Sequence, residues 1–266
     1  MILLETKDYF KLDALLDKAE INVLFARAVM EQKVKGCIYV DNVDMPRTCY
    51  ILHPYGMSLL IGESNNAVFN QRFKEYVLNI SGERTKEEWM QTYPDTWDQV
   101  MKNLFTHYDG VIEYDTRVNF CFNKHKFQQE EKCRTEKIRI RQTAKEDFEA
   151  MKGMVVPAHF WNNADDFMTE GKGFSLYYKH ELASIAFSSF IKDNYLELGI
   201  ETREQFRGKK LAYKVCSALI NYCMENNLEP LWSCRLSNTG SYKLAQKLGF
   251  EVAKENAYYQ LKIVES

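Results

Sequence analysis

The sequence predicts an α+β fold: a mixed, mostly antiparallel central sheet flanked by helices, preceded by an N-terminal α/β domain. Three observations predict it. Beyond residue 137, three strand-like runs follow one another across tight polar links, and the pattern then changes to helix, strand, helix, strand. Before residue 123, helical and strand-like patterns alternate. Between them, residues 123–137 are polar, charged and short of apolar side chains. That composition reads as a linker, with a solvated loop inside one domain as the alternative. Placing the boundary near Thr135 divides the chain into residues 1–135 and 136–266.

In the first part, Leu12, Leu15, Leu16, Ala19, Val23, Ala26 and Val29 keep helical spacing, predicting a helix that ends near Gly36. Strands follow at 37–40, 48–52 and 58–62, punctuated by Asp41-Asn42, Met45-Pro46 and His53-Pro54-Tyr55-Gly56. Helices are expected at about 67–78 and 95–105, and a strand near 117–122. In the second part, a strand at 138–141 precedes helices around 147–154 and 161–168. Strands at 174–178, 182–190 and 195–202 form an antiparallel meander, because the links at Lys179-His180-Glu181 and Lys192-Asp193-Asn194 are tight. A helix at about 210–225, a strand at 231–235, a helix at 239–248 and a closing stretch at 250–263 complete the order.

Composition narrows the function. The 266 residues are 45% hydrophobic, with 16 Phe, 16 Tyr and 4 Trp, ample for a packed core. Lys and Arg number 35 against 37 Asp and Glu, so the basic excess of a general nucleic-acid or anionic-membrane binder is missing. Seven cysteines, an odd count without a C-x-x-C pair, suit reduced thiols in a cytoplasmic protein. The opening Met1-Ile2-Leu3-Leu4 is too short for a secretory signal, and no run approaches the ~18 apolar residues of a membrane span. The five histidines are scattered and none stands in H-E-x-x-H spacing, so no metal is expected.

The chemistry concentrates between Tyr195 and Phe250. In the strand Tyr195–Thr202, Leu196, Leu198 and Ile200 share one face, and Glu197 and Glu201 the other. A carboxylate in a sheet costs free energy unless it has a partner, a task or a wet face. Gly199 marks a bulge or a close backbone approach. The strand leads into Arg203-Glu204-Gln205-Phe206-Arg207-Gly208-Lys209-Lys210-Leu211-Ala212, a basic, glycine-containing turn that opens a helix. Unpaired N–H groups and the positive end of the helix dipole make such a turn an anion cradle suited to a pyrophosphate. It is neither the G-x-G-x-x-G dinucleotide fingerprint nor the phosphate loop of nucleotide hydrolases.

Gln205 to Ala212 resembles the acyl-CoA loop of the GNAT superfamily of acetyltransferases, whose pattern is Gln/Arg-x-x-Gly-x-Gly/Ala. Asn238-Thr239-Gly240-Ser241-Tyr242-Lys243-Leu244-Ala245-Gln246-Lys247-Leu248-Gly249-Phe250 resembles that superfamily's late helix. The Trp232-Ser233-Cys234 strand and Leu244-Ala245 look closest to the branch that includes zwittermicin-resistance acetyltransferases. The resemblance covers about residues 137–266, and the part before 135 looks like that branch's own N-terminal extension, with a degenerate half of the same fold as one form it could take. It implies a cytoplasmic, metal-free enzyme that transfers an acetyl group from acetyl-CoA to an amine of a small molecule or peptide by direct attack in a ternary complex. Backbone groups of Ile200 and Thr202 would hold the pantetheine arm, and the amides of Arg207, Gly208, Lys209, Lys210, Leu211 and Ala212 the pyrophosphate. Asn238 would contact the pantetheine or adenosine side, or cap its helix. Glu197 is the candidate general base, since an alkylammonium must lose a proton before attack.

Two departures stand out. Lys210 occupies a position where the superfamily has Gly or Ala, and Ala245 one where many members carry a Tyr that protonates the leaving thiolate. Ser241, one helical turn before Ala245, is the candidate replacement donor. The departures also motivate an alternative, an acyl-CoA-binding regulatory module whose chemistry has decayed. A tRNA-dependent aminoacyl transferase would need a basic channel, against which the charge balance argues. Cys234, Cys216, Cys223, His159, Phe160, Trp161 and Phe167 read as packing residues rather than as ligands or nucleophiles.

Overall fold

A computed structural model describes residues 1–127 and 137–263. The chain packs as two compact units. One is Met1–Val118 with Arg235–Ser237 and the segment from Lys254 onward; the other is Asn119–Cys234 with Asn238–Ala253. The units are therefore not two consecutive halves of the chain. Thr135, where the boundary was expected, lies outside the described residues.

The first unit contains β1 (Ile2–Leu3), α1 (Asp13–Leu16), α2 (Leu24–Met30), β2 (Cys37–Val40), β3 (Thr48–Leu52), β4 (Met57–Gly62), α3 (Ala67–Val77), β5 (Glu88–Tyr93) and α4 (Thr96–Phe105), followed by β6 (Ile112–Phe122), which divides between the units after Val118. Strands β1 to β4 pair in order and antiparallel, and β5 runs parallel to β4. Tyr50, Leu60 and Met90 project from three of these strands onto Phe69 and Phe73 of α3 and Trp97 and Met101 of α4. Arg84 is buried there with its charge matched: it donates to the carbonyls of Val77 and Leu261, each at 2.6 Å, and to Glu88 at 3.3 Å.

Two expectations are corrected here. The single helix expected from Leu12 to Gly36 is broken into a 3-10 turn, α1 and α2. Asn22 accepts the Leu24 N–H at 3.0 Å, and that local bond starts a new helix instead of continuing the old one. Strand β5 was not expected, because its polar Glu88, Gln91 and Thr92 obscure the alternation; all three are buried.

The second unit contains β7 (Ile138–Gln142), α5 (Lys145–Ala150), α6 (Ala164–Glu170), β8 (Gly173–Tyr178), β9 (Glu181–Lys192), β10 (Tyr195–Thr202), α7 (Leu211–Glu225), β11 (Glu229–Arg235), α8 (Thr239–Lys247) and the start of β12 (Phe250–Leu261). The helix expected at 161–168 begins later, at the Asn163 cap, after a 3-10 turn at Pro157–His159. Strands β7, β8, β9 and β10 are antiparallel neighbours, and β11 runs parallel to β10. Leu211, Val215, Cys216, Leu219, Ile220 and Cys223 form the buried stripe of α7.

Each unit thus repeats one order: three antiparallel strands, a helix, a strand parallel to the last, a second helix and a closing strand.

Candidate active site

The parallel register between β10 and β11 runs from Tyr195↔Glu229 to Glu197↔Leu231 and ends there. Beyond Glu197, β10 keeps pairing with β9 as far as Thr202. Arg203 N–H donates to the Ala183 carbonyl of β9 at 2.9 Å. By alternation, the backbone groups of Leu198, Ile200 and Thr202 face the opposite side, where the register with β11 has ended. This leaves the backbone groups of Leu198 and Ile200 without a β11 register partner, the geometry an extended ligand could pair with.

Register also locates the irregularity in this strand pair. Glu197 faces Phe190 and Leu198 faces Ser188, so the extra residue is Ser189 of β9. Gly199 is a point of close approach rather than the bulge: any side chain there would overlap Phe187 and Ser189.

Where β10 ends, the chain turns through Glu204–Phe206 and enters α7. Gly208 has φ +77° and Lys210 φ +57°, both left-handed. That conformation favours glycine, so the Lys210 side chain carries a steric cost. A side chain added at Gly208 would meet open space, so its backbone is accessible. A cleft of about 620 Å³ opens here. One wall is Thr202, Phe206, Arg207, Gly208 and the first residues of α7 from Lys210 to Tyr213; the other is Gly240, Lys243, Leu244 and Lys247 of α8. Four cations line it, and none of the described lining residues is acidic. The first amides of the 15-residue α7 add the positive end of a helix dipole.

Of the nine expected coenzyme residues, Thr202, Arg207, Gly208, Lys210, Leu211 and Ala212 line this cleft. Ile200, Lys209 and Asn238 stand outside its lining. Lys209 folds back to the Gln205 carbonyl at 2.9 Å. The Asn238 side chain caps α8 by accepting the Ser241 N–H at 3.1 Å. Thr202's backbone is engaged on both sides: its N–H donates to Glu201 Oε1 at 3.1 Å, and its carbonyl accepts Arg207 Nε at 3.2 Å. Sequence reasoning missed Lys243 and Lys247. Their signal was the i, i+3, i+4, i+7 spacing of Gly240, Lys243, Leu244 and Lys247, one face of a helix.

Glu197 is 5% exposed, so the solvated-face alternative does not hold for it. It lies where the β10–β11 register stops, opposite Phe190, whose ring packs on Phe160 at 5.6 Å. Glu201 shares its face and is 8% exposed. Ser241 Oγ accepts the indole N–H of Trp232 at 3.1 Å. Phe160 and Phe167 are core residues, and His159 Nδ1 lies 2.9 Å from the Met154 carbonyl oxygen. Cys216, Cys223 and Cys234 are buried thiols outside any disulfide; burial pushes the Cys216 thiol far up and that of Cys223 to about 12, well away from thiolate chemistry.

The sequence profile of the GNAT acetyltransferase family matches residues 14–259. The chain belongs to that family and is an acetyltransferase. It is 27% identical over 241 residues to YdfB, an uncharacterised N-acetyltransferase of Bacillus subtilis (strain 168), covering 88% of this chain and 89% of the relative. Its fold is shared by a GCN5-related N-acetyltransferase-like protein from Streptococcus suis 89/1591, with a TM-score of 0.74, 20% identity and coverage of 96% of this chain and 99% of that one. A tandem GNAT protein from the clavulanic acid biosynthesis pathway superposes with a TM-score of 0.65 at 9% identity, over 100% of this chain and 98% of that one. No helix among the described residues is long and apolar enough to cross a membrane.

Proposed function

We propose that the chain transfers the acetyl group of acetyl-CoA to an amine of a small molecule or peptide, in the cytoplasm and by direct attack within a ternary complex. The observation that carries this reading is the cleft at the α7 N-terminus. A chain of net charge −2 gathers Arg207, Lys210, Lys243 and Lys247 around an accessible glycine backbone. That charge and those amides suit the diphosphate and ribose phosphate of coenzyme A. Ile200 offers backbone groups to the pantetheine arm, and Thr202 joins it once Glu201 and Arg207 release its N–H and carbonyl.

In this reading Glu197 takes the ammonium proton of the acceptor, directly or through water. The amine nitrogen then bonds to the thioester carbon, a backbone N–H of β10 polarises the carbonyl, and the carbon–sulfur bond breaks. As the attacking nitrogen gives up its second proton to water, Ser241 passes its own proton to the departing thiolate and takes one back from that water. Trp232-Ser233-Cys234 and Leu244-Ala245 support placement near the zwittermicin-resistance branch.

The N-terminal unit is read as a degenerate half of the same fold. It repeats the element order, but its helix α3 is capped by Asn66, which accepts the Phe69 N–H at 3.0 Å, beside a depression whose lining sets three carboxylates, Asp41, Asp44 and Glu63, against one cation, Arg47. Carboxylates there repel the phosphates that the second unit attracts.

Isothermal calorimetry on the purified chain tests the reading. Heat on adding coenzyme A or acetyl-CoA is expected, lost in Lys243→Glu/Lys247→Glu. No heat with either compound overturns it.

A further inference from the structure

In the acyl transfer described above Glu201 only releases the Thr202 N–H, yet its carboxylate accepts four hydrogen bonds beside the cleft. Oε1 accepts the Thr202 N–H at 3.1 Å and Arg207 Nη2 at 3.4 Å. Oε2 accepts the N–H groups of Met154 at 2.9 Å and Val155 at 3.1 Å. The first pair of donors belongs to the turn that walls the cleft. The second belongs to the segment between α5 and the Pro157–His159 turn, which leads to Phe160 over Phe187 and Phe190. Phe190 is the residue opposite Glu197.

The enclosure is tight. Gly153 has φ +154°, and a side chain at that position would overlap the Glu201 carboxylate. A second link runs alongside: Arg203 Nη2 donates to the Ala150 carbonyl at the end of α5, at 3.0 Å.

We propose that Glu201 is a positioning residue that couples the coenzyme cleft to segment 153–161, the acceptor side because Phe160 packs on Phe190 opposite the proposed base Glu197, so that filling the first tightens the second. The inference rests on reading the cleft as the coenzyme A site. A phosphate group in the cleft draws the Arg207 guanidinium away from Oε1. The carboxylate charge is then shared among fewer donors, and its bonds to Met154 and Val155 N–H strengthen. By linkage, an acceptor that orders segment 153–161 tightens coenzyme binding by the same factor.

Hydrogen exchange on the intact protein, with and without coenzyme A, tests this alongside calorimetry. In the wild type, coenzyme A is expected to slow exchange at Met154 and Val155 by about fivefold or more, the usual lower range of allosteric coupling. In Glu201→Gln, whose amide nitrogen cannot accept, calorimetric heat is expected to persist while those two amides stop responding. Heat with no change at Met154 and Val155 in the wild type overturns the coupling and leaves the coenzyme site standing. No heat at all overturns both.

The wild-type comparison holds whether or not Glu201→Gln folds, and Gly153→Ala offers a third arm. It crowds Glu201 from the acceptor side without touching the cleft. A folded Gly153→Ala protein is expected to bind coenzyme A about fivefold more weakly. Unchanged affinity in that folded variant counts against the coupling.

Discussion

Trp232 donates its indole N–H to Ser241 Oγ over 3.1 Å, while the backbone N–H of Ser241 is held by Asn238 at 3.1 Å. Both bonds orient the serine without using its hydroxyl hydrogen, which stays available to a further acceptor. If that acceptor is the coenzyme thiolate, Ser241→Ala lowers the rate of thiol release by ~10²-fold with little change in coenzyme A affinity. Equal release rates for the two proteins would remove Ser241 from the mechanism.

Glu197→Gln is expected to lower turnover by roughly 10²-fold near neutral pH. Most of an alkylamine with a pKa near ~10 is protonated there and needs a base. At high pH the free amine is abundant, so the deficit shrinks. The check is a pH–rate profile of both proteins with the same acceptor; a deficit of constant size across pH would rule out the base assignment.

Lys243 and Lys247 face the cleft from α8. Replacing either by Gln is expected to weaken coenzyme A binding by about fivefold, an energy of ~1 kcal/mol for a partly exposed charge. The remaining affinity should also depend less steeply on salt, because one screened attraction is gone. Titrations at low and high ionic strength measure both effects. Affinity and salt slope identical to the wild type would show that α8 does not face the phosphates.

Lys210 holds a left-handed φ of +57° at the start of α7. Lys210→Gly removes the steric cost of that conformation, offset in part by the greater unfolded-state entropy of glycine, for a net gain of about 0.5–1 kcal/mol. It also removes a cation from the cleft. Thermal melts and calorimetry together should therefore show a higher melting temperature with weaker coenzyme A binding. A variant that gains both stability and affinity would mean the ammonium contributes nothing to the ligand.

His53 is fully buried, and its Nδ1 accepts the Tyr55 N–H at 3.1 Å. Burial, reinforced by nearby Lys86, pulls its pKa from the usual 6.5 to about 3. Below pH 6.5 the unfolded chain therefore takes up a proton that the folded chain refuses. Stability is lost as pH falls from 6.5 toward 3, by at most about 1.4 kcal/mol per pH unit. Urea midpoints should show the wild type's advantage over His53→Gln shrinking as pH is lowered through this window. Parallel pH curves for the two proteins would contradict it.

Much of the second unit was legible because its signals are local. Strand Tyr195–Thr202 coincides with its expected limits, and α7 begins one residue after the expected start. Alternation and turn chemistry are properties of adjacent residues, and the basic turn before α7 needs only contiguous side chains. The N-terminal helix misled because apolar spacing continued from α1 to α2 across residues 17–23, where the ladder has stopped and Asn22 accepts the Leu24 N–H. Strand β5 was hidden because Glu88, Gln91 and Thr92 are polar core residues. Their burial is tolerated through partners elsewhere; for Glu88 these are Tyr50, Tyr76 and Arg84.

The family resemblance, the basic turn before α7 and the strand carrying Glu197 are written in runs of thirteen residues or fewer, since backbone periodicity and capping act over one or two turns. The convergence of α8 lysines on the α7 turn, the extra residue at Ser189, and the four-donor carboxylate of Glu201 are not. Glu201 reaches donors 46 and 47 positions away, and no local preference encodes such a meeting. Packing of the sheet against its helices brings those groups together, because burial rewards the summed fit of remote side chains rather than any one segment's propensity.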